Sequence, residues 1–192
     1  SVHSCPPPRF IFIMNHIFLL PRYVFPRNSY TFRGDNMKKF RVYACWIVLT
    51  EAVGALSGWL IRDSIGLYRD AILKPPLSPP GIVFPIVWGI LYALMGIGAA
   101  MIYRSPASQQ RTSSLQLYLL QLAVNFLWPI FFFRMQSFGG ALILLGILWG
   151  LVLWMMLSFR RVSPLAAKLQ IPYLIWLTFA AYLNAGVWVL NR

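Results

Sequence analysis

From Val42 to the C-terminus, runs of about 20 apolar residues follow one another, separated by short breaks that carry charge, proline or glycine. A hydrocarbon layer about 30 Å thick takes about 20 residues of helix, and without water to satisfy the backbone only helices and closed barrels cross it. The runs fall at about 42–61, 81–103, 115–133, 139–159 and 165–190. They predict an all-α integral membrane protein, a bundle of five transmembrane helices in one domain. Composition agrees, since 59% of the residues are hydrophobic and 11% charged, against about 45–50% apolar in soluble domains.

The net charge is +13, from 17 Lys and Arg against 4 acids. In a soluble chain that balance points to nucleic acid. Here the cations gather at the ends of apolar runs, as topogenic signals do, with no extended basic face interleaved with aromatics, so no nucleic-acid partner is expected. Lys38, Lys39, Arg41, Arg104, Arg111, Arg160, Arg161 and Lys168 fall on the side of the N-terminus and the second and fourth loops. Arg62, Arg69, Lys74, Arg134 and Arg192 fall opposite. The distribution predicts a cytoplasmic N-terminus and an external C-terminus for the membrane domain.

Residues 1–36 read differently, with five prolines and one apolar patch, "FIFIMNHIFLL", too short to span a bilayer. Met37 is followed by Lys38, Lys39, Arg41 and a clean apolar run, the pattern of a native bacterial start. The segment before it is expected to be a non-native leader or a disordered extension, and 37–192 the membrane domain. Both histidines, His3 and His16, and one of two cysteines, Cys5, lie upstream of Met37; Cys45 lies in the first span. The membrane domain thus holds no imidazole, no metal-ligand spacing, no Ser/His/Asp set and no carboxylate pair in a defined cleft. Neither hydrolysis nor metal catalysis is expected, nor an obligatory cofactor.

Polar and aromatic residues inside the spans are patterned. Gln121, Asn125, Trp128 and Phe132 share one helical face, as do Tyr173, Trp176, Ala180, Asn184, Trp188 and Asn191. Trp88, Tyr92 and Met95 align in the second span, where Gly89 with Ala93 and Gly96 with Ala100 offer small surfaces for close contact. Amides are costly in lipid, so these faces should point inward, either for interhelical hydrogen bonding or for a ligand. Trp46, Trp59, Trp149 and Trp154 read as packing or interfacial residues. Glu51, a carboxylate inside the first span, is open to a functional reading or to one as a packed, hydrogen-bonded acid. The first loop, 62–80, is long for so economical a chain and carries Asp63, Asp70, Arg62, Arg69 and Lys74. Its end, "KPPLSPPGIVFPIVW", concentrates proline. Lys74, Pro75, Leu77, Pro79 and Pro80 are expected to form a stiff lid segment, with Gly81 allowing the turn and Pro85 in the first turn of the next helix, where its missing N–H is tolerated.

Together, "KPPLSPPGIVFPIVWGILYALMG", "LQLAVNFLWPIFFF" and "IPYLIWLTFAAYLNAGVWVLN" resemble the translocator protein family, also called peripheral benzodiazepine receptor or tryptophan-rich sensory protein (TspO/MBR). The resemblance covers about 42–191, and the lysine-led start suggests a bacterial member, hence a multi-pass protein of the bacterial cell membrane. It implies a homodimer that binds tetrapyrroles, protoporphyrin IX or haem, in a pocket beneath the first loop, and that acts as a sensor, regulator or carrier in porphyrin handling and stress response. Carried over by motif, Trp88, Tyr92, Asn125, Trp128, Trp176, Ala180 and Asn184 would line the pocket. The alternative it implies is an enzyme degrading protoporphyrin in light, with Trp88 and Trp176 as the catalytic pair. Two departures stand out. Many relatives have a tryptophan where this chain has Leu77, and the cation that follows a tyrosine in the sterol-recognition pattern of animal members is missing after Tyr182, so sterol transport is not expected.

Overall fold

The computed structural model describes residues 31–192, with side chains from Met37 onward. The proposed leader, with His3, His16 and Cys5, therefore lies outside the described residues except for the backbone of 31–36. Residues 36–192 form one compact unit, all helical, with no strand among the described residues. The helices are α1 (Thr31–Ala71), α2 (Val83–Arg104), α3 (Gln109–Pro129), α4 (Phe138–Val162), the short α5 (Pro164–Lys168) and α6 (Ile171–Leu190), with a π-helical turn, Ile130–Arg134, continuing α3. Five spans, Met37–Ala71, Val83–Arg104, Gln109–Arg134, Phe138–Val162 and Pro164–Leu190, are long and apolar enough to cross a membrane. The protein is a multi-pass integral membrane protein.

Local chemistry sets the element ends. Pro106 follows the end of α2, and Ser108 caps α3, its hydroxyl accepting from the Arg111 N–H at 3.1 Å. Ser163 ends α4 in extended backbone and caps α5 by accepting from Ala166 N–H, with Pro164 at the first helical position. At Pro129 the missing N–H and the bulk of the ring break the regular ladder. The chain answers with one wider turn, in which Met135 N–H donates to the Ile130 carbonyl at 2.9 Å and Ser137 N–H to that of Phe131 at 3.0 Å.

The first loop is shorter than the sequence suggests. Residues 62–71, expected as loop, continue α1, and the non-helical connection is confined to 72–82. Arg62, Asp63, Arg69 and Asp70 thus stand on a helix that runs on past the apolar stretch. The 35 residues from Met37 extend roughly 50 Å, well beyond a hydrocarbon layer. The last span is likewise not one helix, since a break at 169–170 separates α5 from α6.

The core is built where helices approach most closely. Gly96 meets the α1 backbone: a Cβ there would lie 2.7 Å from Ile47 Cα, so only glycine permits this approach. Gly89, its expected counterpart, faces open space. Trp46 is buried against Tyr103 and Tyr118, and Thr50 bonds the Trp46 carbonyl at 2.7 Å and the Tyr118 hydroxyl. Trp59, Trp149 and Trp154 are partly exposed on the outer surface, as expected of interfacial residues.

Candidate functional site

The inward faces read from the sequence are inward in the structure. Gln121, Asn125 and Trp128 on α3 and Phe132 in the π-helical turn that continues it are all buried, as are Tyr173, Ala180 and Asn184 on α6 and Tyr92 and Met95 on α2. Their polar atoms form one directed chain. Tyr92 Oη donates to Asn125 Oδ1 at 2.7 Å, Asn125 Nδ2 donates to Tyr173 Oη at 2.7 Å, and Tyr173 Oη donates to Gln121 Oε1 at 3.1 Å. Gln121 Nε2 ends the chain on the Met95 sulfur at 3.8 Å. A second link runs from Trp128 Nε1 to Asn184 Oδ1 at 3.2 Å and from Asn184 Nδ2 to the Phe138 carbonyl at 2.8 Å. Both asparagine amides are engaged at each end. Their work is to fix α2, α3, α4 and α6 against one another.

Around this frame the aromatic residues fall into two groups. On one side, Trp88 lies 5.4 Å from the Tyr92 ring and 6.1 Å from Tyr173, Phe84 lies 5.9 Å from Trp176, and Trp176 lies 5.5 Å from Phe179. On the other, Trp128 stacks on Phe132 at 5.2 Å, and Phe132 and Phe133 hold Tyr68 of α1 at 5.4 and 5.0 Å. The π-helical turn presents Phe132 and Phe133 to Tyr68, so Pro129 contributes to the site through backbone geometry. Trp188, expected on the inward stripe, is 38% exposed and packs beside Gly139 with Arg192 over its ring at 4.2 Å.

The proline segment is laid along α6 as a strap. Asn191 clamps its start: the amide donates to the Leu73 carbonyl at 2.9 Å and its oxygen accepts from the Leu73 N–H at 3.0 Å. Pro75 covers Gly186, where a Cβ would lie 2.5 Å from the proline ring, and Tyr182 Oη donates to the Pro76 carbonyl at 2.9 Å. Continuing down α6, Phe84 meets Trp176 and Trp88 meets Tyr173. The register 73 to 191, 75 to 186, 76 to 182, 84 to 176 and 88 to 173 decreases steadily, so the strap and the start of α2 run antiparallel to α6. The left-handed residue in this segment is Leu77, φ 65°, and not Gly81; Leu77 is 80% exposed. Ser78 Oγ braces the bend by donating to the Pro75 carbonyl at 2.8 Å.

The charges nearest the strap are partly engaged. Arg62 pairs with Asp63 and lies over Trp59, Arg69 makes two hydrogen bonds to Asp70, and Lys74 Nζ donates to the Arg69 carbonyl at 2.7 Å over the Tyr68 ring. One polar atom of the aromatic wall stands apart: Trp176 Nε1 is buried with no hydrogen-bond partner among the described residues.

Residues 46–189, most of the chain and the whole of this frame, match the family model described as TspO/MBR family. The chain belongs to the TspO/MBR family. Translocator protein of Sus scrofa is 40% identical over 146 residues, covering 73% of this chain and 86% of that protein. Tryptophan-rich protein TspO of Chlorobaculum tepidum is 34% identical over 155 residues, covering 80% and 98%, and tryptophan-rich sensory protein of Cereibacter sphaeroides is 38% identical over 151 residues, covering 78% and 92%. Membership agrees with the five membrane spans, and bacterial members are among the relatives. The match begins at Trp46, the α1 residue that packs on Tyr118.

Two features of this TspO/MBR site were not read from the sequence. Phe84, within the "FPIVW" motif but given no site role there, stands four residues before Trp88 on the same helical face, and that spacing is its signal. The clamps from Asn191 and Tyr182 to the strap had no local signal, because each joins residues more than 100 positions apart. The engagement of Asn125 and Asn184 was one of two readings left open, and the geometry gives it directly.

Proposed function

We propose that the protein binds a planar tetrapyrrole, protoporphyrin IX or haem, against the wall formed by Trp88, Phe84 and Trp176, and serves as a membrane sensor, regulator or carrier in porphyrin handling. The observation that carries this reading is the Trp176 indole N–H: a buried donor without a partner, set among aromatic rings, suits a flat apolar disc with acceptor groups at its edge. Tyr92, Asn125, Trp128, Ala180 and Asn184 frame that wall, and the strap bearing Lys74, Pro75, Leu77, Pro79 and Pro80 borders it. A homodimer is the assembly proposed in the membrane. With no histidine beyond His16, haem iron lacks its commonest protein ligand, so metal-free porphyrin should bind at least as well as haem. Matched titrations of the two test this, and haem binding tenfold tighter would count against it.

A second reading, light-dependent oxidative breakdown of bound protoporphyrin with dioxygen as oxidant, draws support from Trp88 and Trp176 as oxidisable side chains at the wall, Trp88 beside Tyr92 and Tyr173. Illuminating the protein with protoporphyrin in air and following the Soret band separates the readings. Loss no faster than in Trp176→Phe would reject tryptophan-dependent chemistry.

A further inference from the structure

The outward side of α4 carries a stripe that the tetrapyrrole site does not use. Ile143, Ile147, Trp154, Leu157 and Arg161 fall within about 80° around the helix axis. Their exposures are 70% for Ile143, 53% for Ile147, 61% for Trp154 and 52% for Leu157, and Arg161 is exposed. Arg160 adjoins Arg161, and Lys168 follows in α5 at the same end of the bundle; both are exposed.

These three cations differ from others at that end. Arg104 donates to the Tyr43 hydroxyl, and Arg111 to the carbonyls of Tyr103 and Ser105. Arg160, Arg161 and Lys168 have neither an ion pair nor a hydrogen bond from their side chains among the described residues. From Met37 onward the only acids are Glu51, Asp63 and Asp70. Asp63 and Asp70 lie toward the strap end of α1 and Glu51 lies within the span, so among the described residues no carboxylate neutralises this corner.

Trp154 stands two turns from Arg161 toward the membrane centre, about 10 Å. That spacing places a guanidinium at phosphate depth and an indole at the interface beneath it. We propose that the α4–α5 corner is a binding site for an anionic phospholipid. Its phosphodiester would sit on Arg160, Arg161 and Lys168, its glycerol ester region beside Trp154, and one acyl chain along Leu157, Ile147 and Ile143.

The other occupant such a face invites is a second copy, because Gly146 and Gly150 on the same side border open space. Charge decides between them. Two copies share one orientation in a membrane, so a two-fold contact across α4 sets the three cations of each copy against their equivalents, with no acid beside them among the described residues.

The test uses the full chain in nanodiscs of phosphatidylcholine containing a minor fraction of phosphatidylglycerol, with retained lipid read by native mass spectrometry. Selective retention of phosphatidylglycerol is expected, falling about fivefold for each cation removed in Arg160→Gln, Arg161→Gln and Lys168→Gln. Trp154→Leu, which leaves every charge in place and guards against a misfolded triple variant, should also weaken it. The triple variant Lys38→Gln, Lys39→Gln, Arg41→Gln should retain the lipid. Equal retention in wild type and the corner variants would overturn the site, and so would equal loss in the Lys38/Lys39/Arg41 variant, which would mean diffuse charge. A dimer abolished by Gly150→Leu without lipid selectivity would assign the face to a second copy.

Discussion

At the scale of single residues, the amides of Asn125 and Asn184 matter for what they leave unsatisfied when removed. Asn125→Leu takes the acceptor from the Tyr92 hydroxyl and one of the two partners from the Tyr173 hydroxyl, which keeps Gln121. A buried polar group left unpaired costs about 1–3 kcal/mol, so this variant should lower stability by roughly that amount in a reversible unfolding assay in detergent. A Tyr92→Phe, Asn125→Leu double variant should recover part of the loss, because it removes one orphaned hydroxyl, and a loss no smaller than in the single variant would sink the network account. The positions of these amides were legible in the sequence for a plain reason. An amide in an apolar helix is expensive, and two at i and i+4 announce an inward face. Which donor would meet which acceptor was not legible, since Tyr173 and Gln121 lie 52 positions apart and meet only when α3 and α6 pack.

At the scale of elements, the strap and α1 show where sequence reading stops. Residues 62–71 carry four charges and look like loop, yet helix continues until the prolines forbid it, because a helix leaving the membrane stays favourable in water while no breaker intervenes. The span count, by contrast, follows from apolar length alone and was fully legible. The strap's stiffness was also readable from its prolines, but its course along α6 depends on Gly186 giving Pro75 room and on Asn191 clamping Leu73. Gly186→Val should therefore lift the strap. Limited proteolysis of 72–82 in detergent should speed up markedly in Gly186→Val and in Asn191→Ala, while Gly146→Val, on the open side of α4, should cut at the wild-type rate. Unchanged cleavage in both strap variants would show that the strap is held by something other than α6.

At the scale of the whole molecule, two hydrogen-bond links and two aromatic groups tie four spans into a frame, and α1 joins through Tyr68 and the close approach at Gly96. Such a frame has its hydrogen bonds committed internally, while on the aromatic wall Trp176 Nε1 is a buried donor with no hydrogen-bond partner among the described residues. Binding at this wall would therefore rest on ring contact plus the directed donor at Trp176 Nε1. Trp176→Phe keeps most of the ring area and removes the donor. Titrating protoporphyrin IX in the dark into the wild type and into Trp176→Phe, followed by quenching of intrinsic fluorescence, tests that most directly. Saturable binding by the wild type and about tenfold weaker binding by the variant are predicted, the loss of one charge-assisted hydrogen bond. Equal affinities, or no saturable binding by the wild type, would contradict the account.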